Sequence, residues 1–185
     1  KDLYSPFVGT DVILTGLSTA EMTKYTANAF LASVISFSNE IANLCSKIDG
    51  VDVMDVMKGV HSDRRLSPLV DSVRMTPGLM AFLHPGAGFG GSCFPKDINA
   101  LISFSNGLEC SMPILRSVIE TNLLQPEITV EMVEDELGCL VDKSVVVLGL
   151  AFKPGTDDIR ESPALKVIKS LVAKGAKVTA HDPVA

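Results

Sequence analysis

The sequence predicts a mainly α-helical domain followed by the first βαβ unit of an α/β domain. Apolar residues recur at three- and four-residue steps from Met22 to Ile48 with no Gly or Pro between them, which is the period of a helix. Helix-opening prolines at Pro95 and Pro113 then introduce two further helical stretches. Finally the period changes at Ser144-Val145-Val146-Val147-Leu148-Gly149-Leu150, a short β-branched run of the kind buried on both faces of a parallel sheet.

Taken in order, residues 1–19 read as an extended approach with turns at Pro6, Gly9 and Gly16. Ser18-Thr19-Ala20-Glu21 fits a capping box, in which hydroxyl and carboxylate satisfy opposing N–H groups at a helix start. From there one helix runs to about Ile48; at ~1.5 Å per residue it spans about 40 Å. A rod that long predicts packing across a subunit interface. Asp52 caps a short helix through Val60, and residues 61–91 read as mostly irregular, broken by Pro68, Pro77 and Pro85. Pro95 at the first helical position opens a helix to Asn106, with Gly107 as the glycine beyond its end. The next helix runs from Pro113 to Gly138 with a kink at Pro126. After the β-branched strand, Ser162-Pro163 opens a helix to Lys174 that Gly175 closes, and Lys177-Val178-Thr179-Ala180 is a second strand. Two strands do not complete a parallel sheet, so the C-terminal domain reads as cut short.

Composition narrows the function. The chain has 185 residues, 46% hydrophobic, and a formal net charge of −6, which argues against a general grip on a nucleic-acid backbone. Cys45, Cys93, Cys110 and Cys139 form no CxxC pair, so neither a metal site nor a disulfide scaffold is expected and a reduced, cytoplasmic setting fits. No apolar stretch approaches ~18 residues, so no membrane span is expected.

The chemistry concentrates at Ser92-Cys93-Phe94-Pro95-Lys96-Asp97, entered through Gly86-Ala87-Gly88-Phe89-Gly90-Gly91. A thiol at the exit of a glycine-rich loop and the start of a helix faces unpaired N–H groups, which favour a thiolate. Asp97 follows Cys93 by four residues and shares its surface; its charge works against the thiolate unless Lys96 or another cation offsets it. We read Cys93 as a nucleophile. Lys24 and Asn28 stand four apart on the long helix and reach one site, where an ammonium can steady an oxyanion and an amide can orient water. Asp63-Arg64-Arg65 offers guanidiniums for an anion. The loop Ala151–Ser162 follows a strand, where ligands of open α/β sheets bind, yet contains no G-x-G-x-x-G. A thiol hydrolase would need a His partner for Cys93, and His61, His84 and His181 lie in no such motif.

Thr19–Ala32 with Ser38-Asn39-Glu40, then Gly88–Asp97, then Leu148–Lys153 with Asp157–Ser162, closely resemble the UDP-glucose/GDP-mannose dehydrogenases in the order of that family's motifs. The resemblance implies three regions. Residues 1–18 end an N-terminal NAD-binding domain, 19–140 form the helical central dimerisation domain with the catalytic cysteine, and 141–185 begin a Rossmann-like domain for the nucleotide sugar. It also implies NAD as cofactor, a homodimer, and a four-electron oxidation of a sugar C6 alcohol to the uronate through a thiohemiacetal and a thioester. Cys93 would be the nucleophile, Lys24 the oxyanion stabiliser, and Asn28 with Asp97 the residues that hold the water and assist proton transfer. Phe89, Gly90, Phe152 and Lys153 would line the sugar nucleotide beside Lys24 and Asn28. Arg65, or Arg64 beside it, would reach that ligand from the neighbouring subunit. Cys93, Lys96 and Arg160 would meet NAD. The Ser-Cys-Phe-Pro-Lys form points to UDP-glucose, with GDP-mannose or another nucleotide sugar as the alternative. An isolated fragment of this kind is expected to dimerise without activity of its own.

Overall fold

The computed structural model describes Pro6, Phe7 and residues 9–185; the extended approach predicted at residues 1–5 and 8 lies outside the described residues. Five helices and two small strand pairs follow in the order α1 (Leu17–Cys45), α2 (Val53–His61), β1 (Leu69–Val70), β2 (Val73–Arg74), a 3-10 turn (Gly78–Phe82), α3 (Phe94–Gly107), α4 (Pro113–Leu137), β3 (Ser144–Leu148), α5 (Pro163–Ala173) and β4 (Lys177–His181). The molecule is therefore mostly helical. β3 and β4 pair in parallel, Ser144 opposite Lys177 through Leu148 opposite His181, with α5 between them.

α1 begins two residues earlier than predicted. Gly16 is its extended N-cap, without a side-chain cap, so Ser18 already has helical backbone and cannot form the capping box, which needs an extended residue. It also ends at Cys45 instead of Ile48, because Lys47 and Ile48 N–H bond the Leu44 and Cys45 carbonyls three residues back, before Gly50 turns left-handed at φ 76°. Asp52 caps α2 as expected, its carboxylate accepting the Met54 N–H at 2.7 Å. The region read as irregular holds a hairpin: Asp71 and Ser72 both take positive φ (49° and 64°) between β1 and β2. Such two-residue turns normally carry Asn or Gly, so Asp-Ser gave no signal.

α3 starts at Phe94, with Cys93 as N-cap, so Pro95 is its second residue. Its end corrects the glycine prediction. Gly107 is the last helical residue, and the left-handed position falls on Glu109 (φ 54°), where Cys110 N–H bonds the Ser105 carbonyl and Glu109 N–H bonds that of Asn106. α5 uses the same closure with the residue that suits it, Gly175 at φ 87°. α4 runs through Pro126 to Gly138.

Two cores result. Ala29, Ala32, Phe89, Ile98, Leu101, Leu115 and Val118 join α1, α3 and the first half of α4. Val130, Leu140, Val167, Leu171 and Ala176 join its second half to α5 and the strands. α4 belongs to both. Its tail is tied to α5 by Ser170 Oγ to Glu127 (2.8 Å) and Lys174 Nζ to Glu134 (2.7 Å). Among the described residues no helix is long and apolar enough to cross a membrane.

Candidate active site

The glycine-rich loop is pinned from inside by two buried asparagines. Asn39 on α1 accepts the Gly86 N–H at 2.7 Å, and Asn122 on α4 accepts the Phe89 N–H at 2.6 Å while donating to the Phe89 carbonyl at 3.0 Å. Gly86, Gly88 and Gly91 have the spacing G-x-G-x-x-G, but the loop follows a 3-10 turn in place of a strand, so it lacks the context of a dinucleotide fingerprint. Gly88, Gly90 and Gly91 serve close packing. A Cβ on Gly90 would lie 2.3 Å from the Glu161 carbonyl oxygen, and one on Gly91 would lie 2.8 Å from the Phe152 ring.

That packing docks the loop after β3 onto the loop before α3. Gly91 N–H donates to the Arg160 carbonyl at 2.8 Å, and Phe152 N–H to the Asp158 carbonyl at 3.0 Å. Asp158 accepts the Arg160 backbone N–H (2.9 Å) and its Nη2 (2.7 Å), which fixes the guanidinium and holds the Asp158 carboxyl down at about 2. At the root of this loop Asp182 accepts the N–H groups of Leu150 (2.7 Å) and Ala151 (3.0 Å), and with its other oxygen those of Val184 and Ala185. Four backbone donors, foremost Ala185, hold its carboxyl far below the usual carboxylate range.

The Cys93 thiol is exposed, 3.8 Å from Ser92 Oγ. One turn on, Asp97 is completely buried. Burial alone would raise its pKa; hydrogen bonds from Lys24, Lys96 and Asn28 outweigh that and hold it down at about 2. Lys24 Nζ pairs with Oδ2, Asn28 Nδ2 reaches the same oxygen at 2.6 Å, and Lys96 Nζ reaches Oδ1 at 2.5 Å. Both ammoniums also face the Tyr25 ring, 5.0 and 5.7 Å from its centroid. Lys96 is shifted up chiefly by its bond to Asp97, and Arg160 chiefly by Asp158; the nearby Cys93 adds to both. Two cations therefore flank the thiol, and two ammoniums neutralise the carboxylate behind it.

A cavity of about 370 Å³ is lined by Ile35, Phe82, residues 88–94 including Cys93, and Phe152 with Lys153. Of the residues singled out in the sequence, Cys93, Phe89, Gly90, Phe152 and Lys153 share this cavity. Lys24, Asn28, Lys96 and Asp97 form one bonded cluster. Arg160 lies near the thiol. Arg65 does not line the cavity: it is exposed and forks onto Asp63, with Nη2 at 2.6 Å and the Asp63 carboxyl held at about 2. Sequence reasoning missed the roles of Asn122 and Asp182, which touch the site only through backbone, and of Asp158, which holds the Arg160 guanidinium as well as its N–H. The one usable signal was Asp182, a carboxylate just past the end of a strand.

The cavity joins a thiol at a helix start to a loop beyond the carboxyl end of a parallel strand, the position where open α/β sheets bind their ligands, and that loop brings Lys153 to its wall. Residues 18–123 match the model of the UDP-glucose/GDP-mannose dehydrogenase family, central domain, and residues 146–185 match that family's UDP binding domain. The chain belongs to the UDP-glucose/GDP-mannose dehydrogenase family. It is 43% identical over 190 residues to a UDP-glucose 6-dehydrogenase of Rickettsia bellii, covering 99% of this chain and 40% of that protein. It is 43% identical over 188 residues to the UDP-glucose 6-dehydrogenase of Pseudomonas aeruginosa, covering 100% of this chain and 39% of that protein. A solved UDP-glucose dehydrogenase from Pyrobaculum islandicum superposes with a TM-score of 0.84 at 39% identity, over 100% of this chain and 40% of that one. The chain thus spans about 40% of the length of the relatives it matches.

Proposed function

We propose that this chain is the central and sugar-facing part of an NAD-dependent nucleotide-sugar 6-dehydrogenase that oxidises the C6 alcohol of UDP-glucose to the carboxylate of UDP-glucuronate through Cys93. The observation that carries the reading is the shared cavity: the Cys93 thiol and Phe152-Lys153 line one space, at a volume within the range of small-molecule sites. Residues 1–18 end the NAD-binding domain, 19–140 form the central dimerisation domain, and 141–185 begin the Rossmann-like sugar-nucleotide domain. A cytoplasmic homodimer that binds nucleotide sugar follows from the same reading. Relatives named UDP-glucose 6-dehydrogenase favour UDP-glucose over GDP-mannose.

Cys93 Sγ gives its proton to solvent and adds to the C6 aldehyde, whose carbonyl π-bond breaks to leave an oxyanion, so that the reactive aldehyde stays bound as a thiohemiacetal oxyanion. The two-electron-oxidised adduct is a thioester, which water cleaves to the uronate and the free thiol. NAD, when bound, supplies the acceptor for both hydrides. The chain's own residues fit such an anionic group, because the Lys96 and Arg160 side chains near the thiol are largely exposed (61% and 69%) while Asp97 and Asp158 hold their charged ends in place. Lys24, half exposed, steadies the oxyanion of each adduct, and Asn28 orients the attacking water. A carboxylate held near 2 is a weak base at neutral pH; Asp97 therefore acts by aiming Lys24 and Asn28, and accepts a proton only after an ammonium releases it.

Cys93→Ser in the complete protein abolishes uronate formation and leaves the circular dichroism spectrum unchanged. Uronate made at the normal rate by that variant contradicts the assignment.

A further inference from the structure

We infer that Asn122, in the middle of α4, is the positioning residue of the nucleophile loop. Its effect on catalysis rests on the dehydrogenase reading above; its hold on the loop does not.

Asn122 lies 33 residues beyond Phe89, is 6% exposed, and spends both ends of its amide on that one residue, accepting the N–H at 2.6 Å and donating to the carbonyl at 3.0 Å. This is the exchange a neighbouring strand makes with its partner, supplied here by a side chain to a loop that has no strand beside it. The loop is shaped to receive it. Gly88 is left-handed at φ 104°, and a Cβ there would come within 2.7 Å of Asn122 Oδ1 and 3.5 Å of the Asn122 carbonyl oxygen. α4 is adapted as well: Pro126, four residues on, has no N–H to give the Asn122 carbonyl, so the helix is opened on the turn where the loop docks.

From Phe89 the constraint passes to the thiol. The Phe89 ring is buried and stands edge-on to Phe94 at 5.8 Å between centroids, and Phe94 is the first residue of α3, directly after Cys93. Gly90 and Gly91 are held from the opposite side by Glu161, Arg160 and Phe152. Asn122 is thus, with Asn39 at Gly86, an inner anchor of a loop that carries the nucleophile and lines the cavity, and the one that holds Phe89.

A neighbouring pair supplies the control. Asn43 and Gln125 exchange reciprocal amide bonds (3.1 and 3.2 Å) between α1 and α4, the same chemistry one turn along, and spend them on each other and not on the backbone of the loop. Gln125→Leu removes a part-buried amide pair that ties the two helices.

The test uses the complete protein with Asn122→Asp, which keeps the shape and the acceptor but sets a carboxylate oxygen against the Phe89 carbonyl, and Asn122→Leu, which removes both bonds. Misplacing a reacting group by about 1 Å costs on the order of 100-fold, so kcat per folded molecule should fall about 100-fold in both variants while KM for the nucleotide sugar moves less than about threefold. Amide exchange at Phe89 should rise at least about tenfold, the signature of a local opening. Gln125→Leu should lower the melting temperature and change neither kcat nor Phe89 exchange. A kcat per folded molecule within threefold of the wild type overturns the positioning role, and unchanged Phe89 exchange overturns the anchor itself. Wild-type protein that forms no NADH from UDP-glucose or GDP-mannose would sink the dehydrogenase reading alone, and exchange at Phe89 would then decide the anchor by itself.

Discussion

A buried carboxylate stays ionised only when its neighbours supply more than burial removes, and Asp97 has three that do. Its pKa is held at about 2 by Lys24, Lys96 and Asn28 against desolvation. A carboxyl depressed on folding stabilises the protein above its unfolded value, about 3.9, and that stability is lost as pH falls through the folded value. Urea unfolding should therefore show stability falling between about pH 4 and pH 2, and Asp97→Asn should flatten that part of the profile; an unchanged slope in the variant contradicts the cluster. Cys93, Lys24, Asn28 and Asp97 were legible in the sequence because each pair keeps a four-residue helical spacing that brings side chains to one face. Asn122 and Asn39 were not, since a buried amide inside a helix has no periodic signature and their partners lie 33 and 47 residues away.

Among the elements, α1 departs furthest from its sequence reading. Its period and nearly its whole span were legible, but the face was not. The residues turned inward are small or polar, Ala29, Ala32, Ser36 and Asn39, whereas Met22, Phe30, Phe37 and Leu44 form an exposed stripe at seven- to eight-residue spacing. Amphipathic periodicity locates an apolar face without saying what covers it. The glycine loop also exceeded its reading: turn chemistry explained its glycines locally, while the necessity of Gly90 and Gly91 comes from Glu161 and Phe152 in a distant segment of the sequence. Gly90→Ala tests this, because the atom it meets is backbone carbonyl and cannot rotate aside. KM for the nucleotide sugar should rise at least about tenfold as the Phe152-Lys153 loop is pushed off; a KM within twofold of the wild type would show that the two loops do not depend on each other.

For the molecule as a whole, α4 is the decisive element, since one helix contributes Leu115 and Val118 to the first core and Val130 to the second. The change from helical to strand period near residue 140 was legible in the sequence, but a helix shared by both cores was not, because periodicity reports one neighbour at a time. The exposed stripe on α1 argues for a partner, and we expect a dimer by light scattering at micromolar concentration; a monomer mass there contradicts the proposed interface. Beyond assembly, the central claim is covalent: one thiol carries one sugar through two oxidations. The measurement that tests it most directly is the number of NADH formed per UDP-glucose consumed by the complete protein. Two NADH per sugar with uronate as the product, and no uronate from Cys93→Ser, is the expected result. One NADH per sugar, or an equal yield from the serine variant, would contradict it.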